Sequence, residues 1–177
     1  VPDPAFQCLY EIPKGIGCEL KRYRYSFDEK FQFPIEKVLS LISTRTKVVV
    51  VNTPHNPTGS VTQIDELDQL AQILLENGKY LFIDEIYRYS SIIGNQPIAS
   101  IAGKYSNVVT SSSICKSFGV VGLRMGWLTG RKEILTSCLE FKDYLTHCLP
   151  SMTMYLAEKI MENRQVFIDR YNTLLSS

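Results

Sequence analysis

Histidine is scarce in this sequence and cysteine is unpaired. Its 177 residues hold two histidines and five cysteines. Cys8, Cys18, Cys115, Cys138 and Cys148 form no Cys-x-x-Cys pair, so no familiar zinc spacing can be assembled and no metal site is expected. His55 and His147 read as turn and helix residues rather than ligands, and Cys138 and Cys148, ten residues apart around a predicted helix, as buried thiols. Neither charge sign dominates: nineteen Lys and Arg against eighteen Asp and Glu leave a formal charge of +1. With no global field, neither nucleic acid nor an anionic membrane is expected as a partner, and any anion must be held locally. No apolar run approaches the roughly 20 residues of a membrane-spanning helix. The N-terminus has no basic segment followed by an apolar signal core. A soluble protein in a reduced, cytoplasmic setting is the expectation.

What is present is enough for one sizeable core, with 45% hydrophobic and 21% charged residues. Residues 47–52 (Lys-Val-Val-Val-Val-Asn) are the pattern of a strand buried on both faces. After turn residues, Ile64, Leu67, Leu70, Ala71, Leu74 and Leu75 recur at helical spacing. Thr62 and Asp65 are placed to form a capping box, and Gly78 to stop the helix. Strands at Tyr80 to Ile83 and Asn107 to Thr110 come next, the latter ending in a serine cluster. Alternation of this kind argues for an α/β fold, a three-layer α/β/α sandwich with a mostly parallel sheet. Upstream, Cys18 to Tyr25 is a candidate strand and Pro34 to Ile42 a helix. Downstream, Met125 to Thr129 is a candidate strand, Lys132 to Leu145 a helix, and a long helical pattern runs from Ser151 to the end. Residues 1–150 thus read as one domain and 151–177 as the start of a helix leading to another. The opening Val1-Pro2-Asp3-Pro4 looks like a strand end running into a loop, as in a fragment that starts mid-fold.

In open α/β sheets, ligands bind outside the carboxyl ends of the strands. The three central strands are followed by His55-Asn56-Pro57-Thr58-Gly59, by Asp84-Glu85-Ile86-Tyr87, and by Ser111 through Gly119 with Lys116 inside it, then Gly122-Leu123-Arg124-Met125-Gly126-Trp127. Each piece alone has a plain reading as a turn, a helix cap or a solvated lysine. Together an amide, a carboxylate, a phenol, a lysine and an arginine fall at one end of one sheet, which is the inventory of a pyridoxal-phosphate site. A lysine amine forms an imine with the aldehyde. A carboxylate facing the ring nitrogen, here Asp84, keeps the pyridine protonated and able to accept electrons. Donors such as Asn56 and Tyr87 stabilise the anionic ring oxygen. Ser113 and Arg124 supply a hydroxyl and a guanidinium for the phosphate, each charge-assisted bond being worth roughly 1.5 to 3 kcal/mol.

These residues, in this order and spacing, resemble the fold type I pyridoxal-phosphate family, and within it the class I/II aminotransferases. The resemblance equates Asn56 with the asparagine of the family's Asn-Pro-Thr-Gly turn, Asp84 and Tyr87 with its Asp-x-x-Tyr pair, and Lys116 with its imine lysine. Ser113 and Arg124 match its phosphate ligands. Pro2-Asp3-Pro4-Ala5-Phe6 looks like the segment whose aromatic stacks on the ring, which nominates Phe6. Cys115 departs from the Ser or Ala found before the lysine in many relatives. The resemblance spans nearly the whole chain but only the middle of the family's length: the glycine-containing phosphate loop would lie before Val1, and the small domain with its carboxylate-gripping arginine after Ser177.

The resemblance implies transfer of an amino group between an amino acid and a 2-oxo acid, with pyridoxal 5'-phosphate as cofactor and Lys116 as imine former and proton carrier. It also implies a homodimer with sites at the subunit boundary. The rivals are a lyase, decarboxylase or cyclase of the same family, and a non-catalytic, aminotransferase-like ligand-sensing domain.

Overall fold

The computed structural model of the chain describes residues 1–90 and 97–175. Two short strands, β1 (Pro2–Asp3) and β2 (Tyr23–Arg24), pair in parallel on either side of helix α1 (Cys8–Gly15). The strand expected over Cys18 to Tyr25 therefore shrinks to two residues, because only Pro2 and Asp3 offer it a partner. Helix α2 (Ile35–Leu41) starts after Pro34, which stays outside as its N-cap.

The central sheet runs β3 (Val48–Asn52), β4 (Tyr80–Asp84), β5 (Val108–Ser113) and β6 (Gly126–Thr129), with helix α3 (Ile64–Glu76) crossing between β3 and β4. The first three strands are parallel and β6 is antiparallel. That last pairing lengthens β5: the serines expected to begin a loop pair with β6 as far as Ser113, opposite Gly126.

Side chains alternate across a strand, and one set faces a continuous core. Val49, Val51, Leu81, Ile83 and Val108 pack there with Leu67, Leu70, Ala71 and Leu74 of α3. Burying each leucine of this stripe stabilises the fold by roughly 1.5–3 kcal/mol. The α3 start differs from the Thr62 and Asp65 capping box. Glu66 accepts from the Gln63 amide at 2.9 Å, while the Thr62 amide is drawn to the Thr53 hydroxyl at 3.0 Å. Tying Thr62 to the strand end moves the helix start on by one residue.

On the other face, Val48, Tyr80, Phe82 and Leu128 look across an apolar groove to Ile134 and Phe141 of helix α5 (Lys132–Asp143). None of the α5 side chains is buried. Cys138 is consequently exposed, as is Cys148 in the loop beyond, against the expectation of buried thiols. His147 lies in that loop as well, since the helix ends before it.

The helical pattern from Ser151 is split into α6 (Ser151–Glu162) and α7 (Arg164–Leu175). At the break the Asn163 side chain donates back to the Lys159 carbonyl at 2.9 Å, competing with the helical ladder. Ala157, Ile160 and Ile168 of these helices pack under Ile114 and Phe118, at either end of the short helix α4 (Ile114–Ser117). Residues 176 and 177 lie outside the described residues.

Candidate active site

Strand register places the chemistry. Asn52 stands opposite Asp84, and Asp84 opposite Ser111, so three parallel strands reach one line at their carboxyl ends. Only β5 continues, and Ser113 then caps α4, which carries Lys116. Because Gly126 pairs with Ser113, the antiparallel strand starts at the same rim and brings Arg124, two residues earlier, with it. Asn56, Asp84, Tyr87, Ser113, Lys116 and Arg124 thus leave one edge of one sheet, as the spacing predicts.

Asp84 is half-buried. Its Oδ1 accepts from the Ile86 amide at 3.2 Å and the Ser111 hydroxyl at 3.1 Å. Among the described residues no hydrogen bond goes to Oδ2. Burial pushes the carboxyl up from its ordinary value, opposed by the Ser111 and Ile86 hydrogen bonds. A half-buried carboxylate with one free lobe fits a cationic ring nitrogen. The turn after it is fastened to β5 and α4: the Glu85 amide donates to the Ser111 carbonyl at 2.8 Å, Ser117 Oγ to the Ile86 carbonyl at 3.1 Å, and Ser90 Oγ to the Lys116 carbonyl at 3.4 Å. Tyr87 sits inside this turn, half-buried.

Asn56 is held from behind. The buried Asn52 donates through Nδ2 to the Asp84 carbonyl at 3.0 Å and accepts the Asn56 amide on Oδ1 at 2.7 Å. One side chain therefore fixes two site residues. His55, 2% exposed, stacks on Tyr25 with ring centroids 4.1 Å apart. Its Nε2 lies 3.0 Å from the Pro4 carbonyl, which can only accept, so Nε2 carries the proton and Nδ1 accepts from Thr58 Oγ1 at 2.8 Å. Burial lowers the His55 pKa, with the Pro4 bond opposing. Through that bond the N-terminal segment docks on the Asn56 turn, and Phe6 comes two residues later with 51% exposure.

The buried Ser113 accepts the Cys115 amide on Oγ at 3.3 Å, which leaves its own O–H as a donor. Lys116 is half-buried, and its Nζ enters no ion pair among the described residues. Arg124 is exposed and takes a left-handed backbone conformation, φ 51°, uncommon outside glycine. Its Nη1 rests 3.7 Å from the sulfur of buried Cys115. No group of three or more His, Cys, Asp or Glu able to hold a metal exists among the described residues.

Sequence reading missed Asn52, Ser111 and Glu85, and took His55 for a plain turn residue. Asn52 had a signal, being the one polar residue closing a buried β-branched run. The contacts of Glu85 and Ser111 cross between strands, which sequence spacing does not encode.

The profile of the family described as aminotransferase class I and II matches residues 1–175. Aromatic-amino-acid aminotransferase 2 of Thermococcus litoralis is 26% identical over 170 residues, covering 93% of this chain and 43% of the relative. Aspartate aminotransferase of Pyrococcus abyssi is 24% identical over the same shares of each. The crystal structure of a PLP-dependent aminotransferase from Streptococcus suis superimposes with a TM-score of 0.87 at 28% identity, covering 96% of this chain and 44% of that one. The chain spans less than half the length of these relatives. With residues 1–175 matched by that profile and the fold shared, this chain belongs to the class I and II aminotransferase family.

Proposed function

We propose that the protein carrying this chain is a pyridoxal-phosphate-dependent aminotransferase, exchanging an amino group between an amino acid and a 2-oxo acid, with Lys116 as the residue that holds the cofactor. The observation that supports it most is the shared rim. Asn52, Asp84 and Ser111 stand in register, with the lysine helix springing from the next residues of β5.

Pyridoxal 5'-phosphate, when bound, supplies an aldehyde carbon for capture by amines and a ring that draws in electrons released at a substrate α-carbon. The residues present fit it. Asp84 would offer its free Oδ2 to the ring nitrogen and keep a proton there. Asn56 and Tyr87 would donate to the ring oxygen, and Phe6 would be the aromatic that covers the ring. Ser113, its acceptor side used by the Cys115 amide, donates its hydroxyl proton to the phosphate, and the Arg124 guanidinium neutralises it. Lys116 Nζ would hold the aldehyde carbon and serve as the base for the proton at the substrate α-carbon. Positioned acid–base transfer of this kind contributes on the order of 10² to 10⁴ in rate.

In this reading residues 1–150 form the cofactor-binding domain, and α6 and α7 lead toward a smaller domain. The protein works as a homodimer. Among the described residues no helix is long and apolar enough to cross a membrane, and the five cysteines are free, which fits a reducing cytoplasm.

The test is spectroscopic. Adding cofactor to the complete protein should raise an absorbance band near the visible edge, and Lys116→Ala should lack it. An identical band in the variant removes Lys116 from this role.

A further inference from the structure

Glu85 has no part in the mechanism above, yet it is 3% exposed and lies between the two residues of the Asp-x-x-Tyr pair. A buried carboxylate is costly unless it is hydrogen-bonded or paired, and here one oxygen is hydrogen-bonded and the other faces a guanidinium. Oε1 accepts from Ser100 Oγ at 2.5 Å, and Oε2 lies 4.0 Å from Arg88 Nη1. Arg88 in turn donates through Nε to the Ile98 carbonyl at 2.8 Å, and the Ile98 amide returns to the Arg88 carbonyl at 2.9 Å. Ser100 Oγ also takes the Ala102 amide at 3.0 Å. The Glu85 side chain therefore joins the Tyr87 turn to the returning segment 98–102. Its backbone joins the same turn to β5, through the Ser111 carbonyl at 2.8 Å and Ser112 Oγ at 3.4 Å.

Tyr87 has no such anchor of its own. Among the described residues its phenol has no hydrogen-bond partner, so where the side chain leaves the chain is fixed by the backbone of residues 85–88 alone. That turn is closed by the Arg88 amide on the Glu85 carbonyl at 2.9 Å, and both of its ends are gripped by the Glu85 carboxylate or its partners.

Resting on the reading that Tyr87 donates to the ring oxygen of the cofactor, we propose that Glu85 is a positioning residue that fixes where the Tyr87 phenol stands by clamping Arg88 and Ser100. Burial holds the Glu85 carboxyl above its ordinary range, opposed by the Ser100 bond and Arg88 and reinforced by Asp84. These are the charged and polar groups that face it. Removing the carboxylate unties Ser100 and takes away the charge facing Arg88, while the Arg88–Ile98 bonds remain, so the turn that carries the phenol loosens at the Glu85 end.

A donor to the anionic ring oxygen stabilises the deprotonated form of the lysine-bound cofactor. Losing that donor raises the pH at which its absorbance band titrates. The experiment is a double-mutant cycle on that midpoint in the complete protein. Tyr87→Phe should raise it. Glu85→Ala should raise it by a fraction of that shift, and Glu85→Gln, which keeps the acceptor for Ser100, by less. In the Tyr87→Phe background Glu85→Ala should leave the midpoint where it is. A midpoint unmoved by Glu85→Ala alone, or moved equally in both backgrounds, overturns the positioning role while leaving the aminotransferase reading intact. No shift in Tyr87→Phe removes the role of Tyr87 and this proposal with it. If Glu85→Ala does not fold, Ser100→Ala breaks the 2.5 Å bond and is read against the same outcomes.

Discussion

Replacing Asn52 with alanine strikes the brace behind the site without touching any group assigned to chemistry. Its side chain is 1% exposed and makes two bonds, Nδ2 to the Asp84 carbonyl at 3.0 Å and Oδ1 from the Asn56 amide at 2.7 Å. A hydrogen bond whose surviving partner keeps another is worth about 1 kcal/mol net, whereas a group left with no partner costs about 1–3 kcal/mol instead. The Asp84 carbonyl still accepts the Thr53 amide at 3.0 Å. The orphan is therefore the Asn56 amide alone, and the total comes to about 2–4 kcal/mol. Urea unfolding of the apoprotein, followed by tryptophan fluorescence, should show the unfolding free energy falling by that amount through a lower midpoint at an unchanged slope. Cofactor affinity should fall as well, because Asn56 loses its fixed direction. Asn52→Asp keeps the acceptor for Asn56 but turns a second acceptor on the Asp84 carbonyl, so it should not restore stability. An Asn52→Ala protein within about 0.5 kcal/mol of wild type, the range of neutral surface changes, would refute the reasoning.

Asp84→Asn should make the apoprotein more stable at neutral pH while weakening cofactor binding. Burial raises the folded carboxyl above its unfolded value of 3.8, so ionisation costs the fold stability, and that cost fades as pH falls toward the unfolded value. Thermal unfolding across pH should show the variant's advantage narrowing in acid, and a wild type that is the more stable at neutral pH would contradict the sign. Gly126→Ala should destabilise by about 1–3 kcal/mol, the range for overpacking, since its new Cβ would meet the Ser112 carbonyl at 2.8 Å. Thermal or urea unfolding measures it, and no change would mean that β6 slides freely past β5.

Strand ends were the legible part of this molecule. A β-branched run such as Val48 to Val51, of which Val49, Val50 and Val51 are buried and Val48 is exposed, marks a strand, and the residues just after it emerge at the rim, so Asn56, Asp84 and Lys116 could be placed from sequence order. Boundaries set by contact between distant segments were not legible. Ser111 to Ser113 look like a loop until β6 pairs with them, and Thr62 looks like a cap until the Thr53 hydroxyl claims its amide. Periodicity also overstated burial. The apolar residues of α5 repeat as a core stripe does, yet the groove beneath them leaves Cys138 exposed, because a pattern records a face and not what covers it.

The braces at Asp84 explain why a sheet, rather than a loop, carries this chemistry. On one side Asn52 and the Thr53 amide both hold the Asp84 carbonyl; on the other Ser111 holds its carboxylate, and the Ser111 carbonyl takes the next amide along the chain. The backbone is thus fixed from one neighbouring strand, and the carboxylate cannot turn without breaking its bond from Ser111 on the other or from the Ile86 amide. Sites built on regular elements hold their geometry better than sites on loops, and here the rigidity has a direct chemical use. A carboxylate kept above its ordinary pKa by burial is unstable on its own terms, so it gains most from a cationic partner, provided that it is already pointing at one.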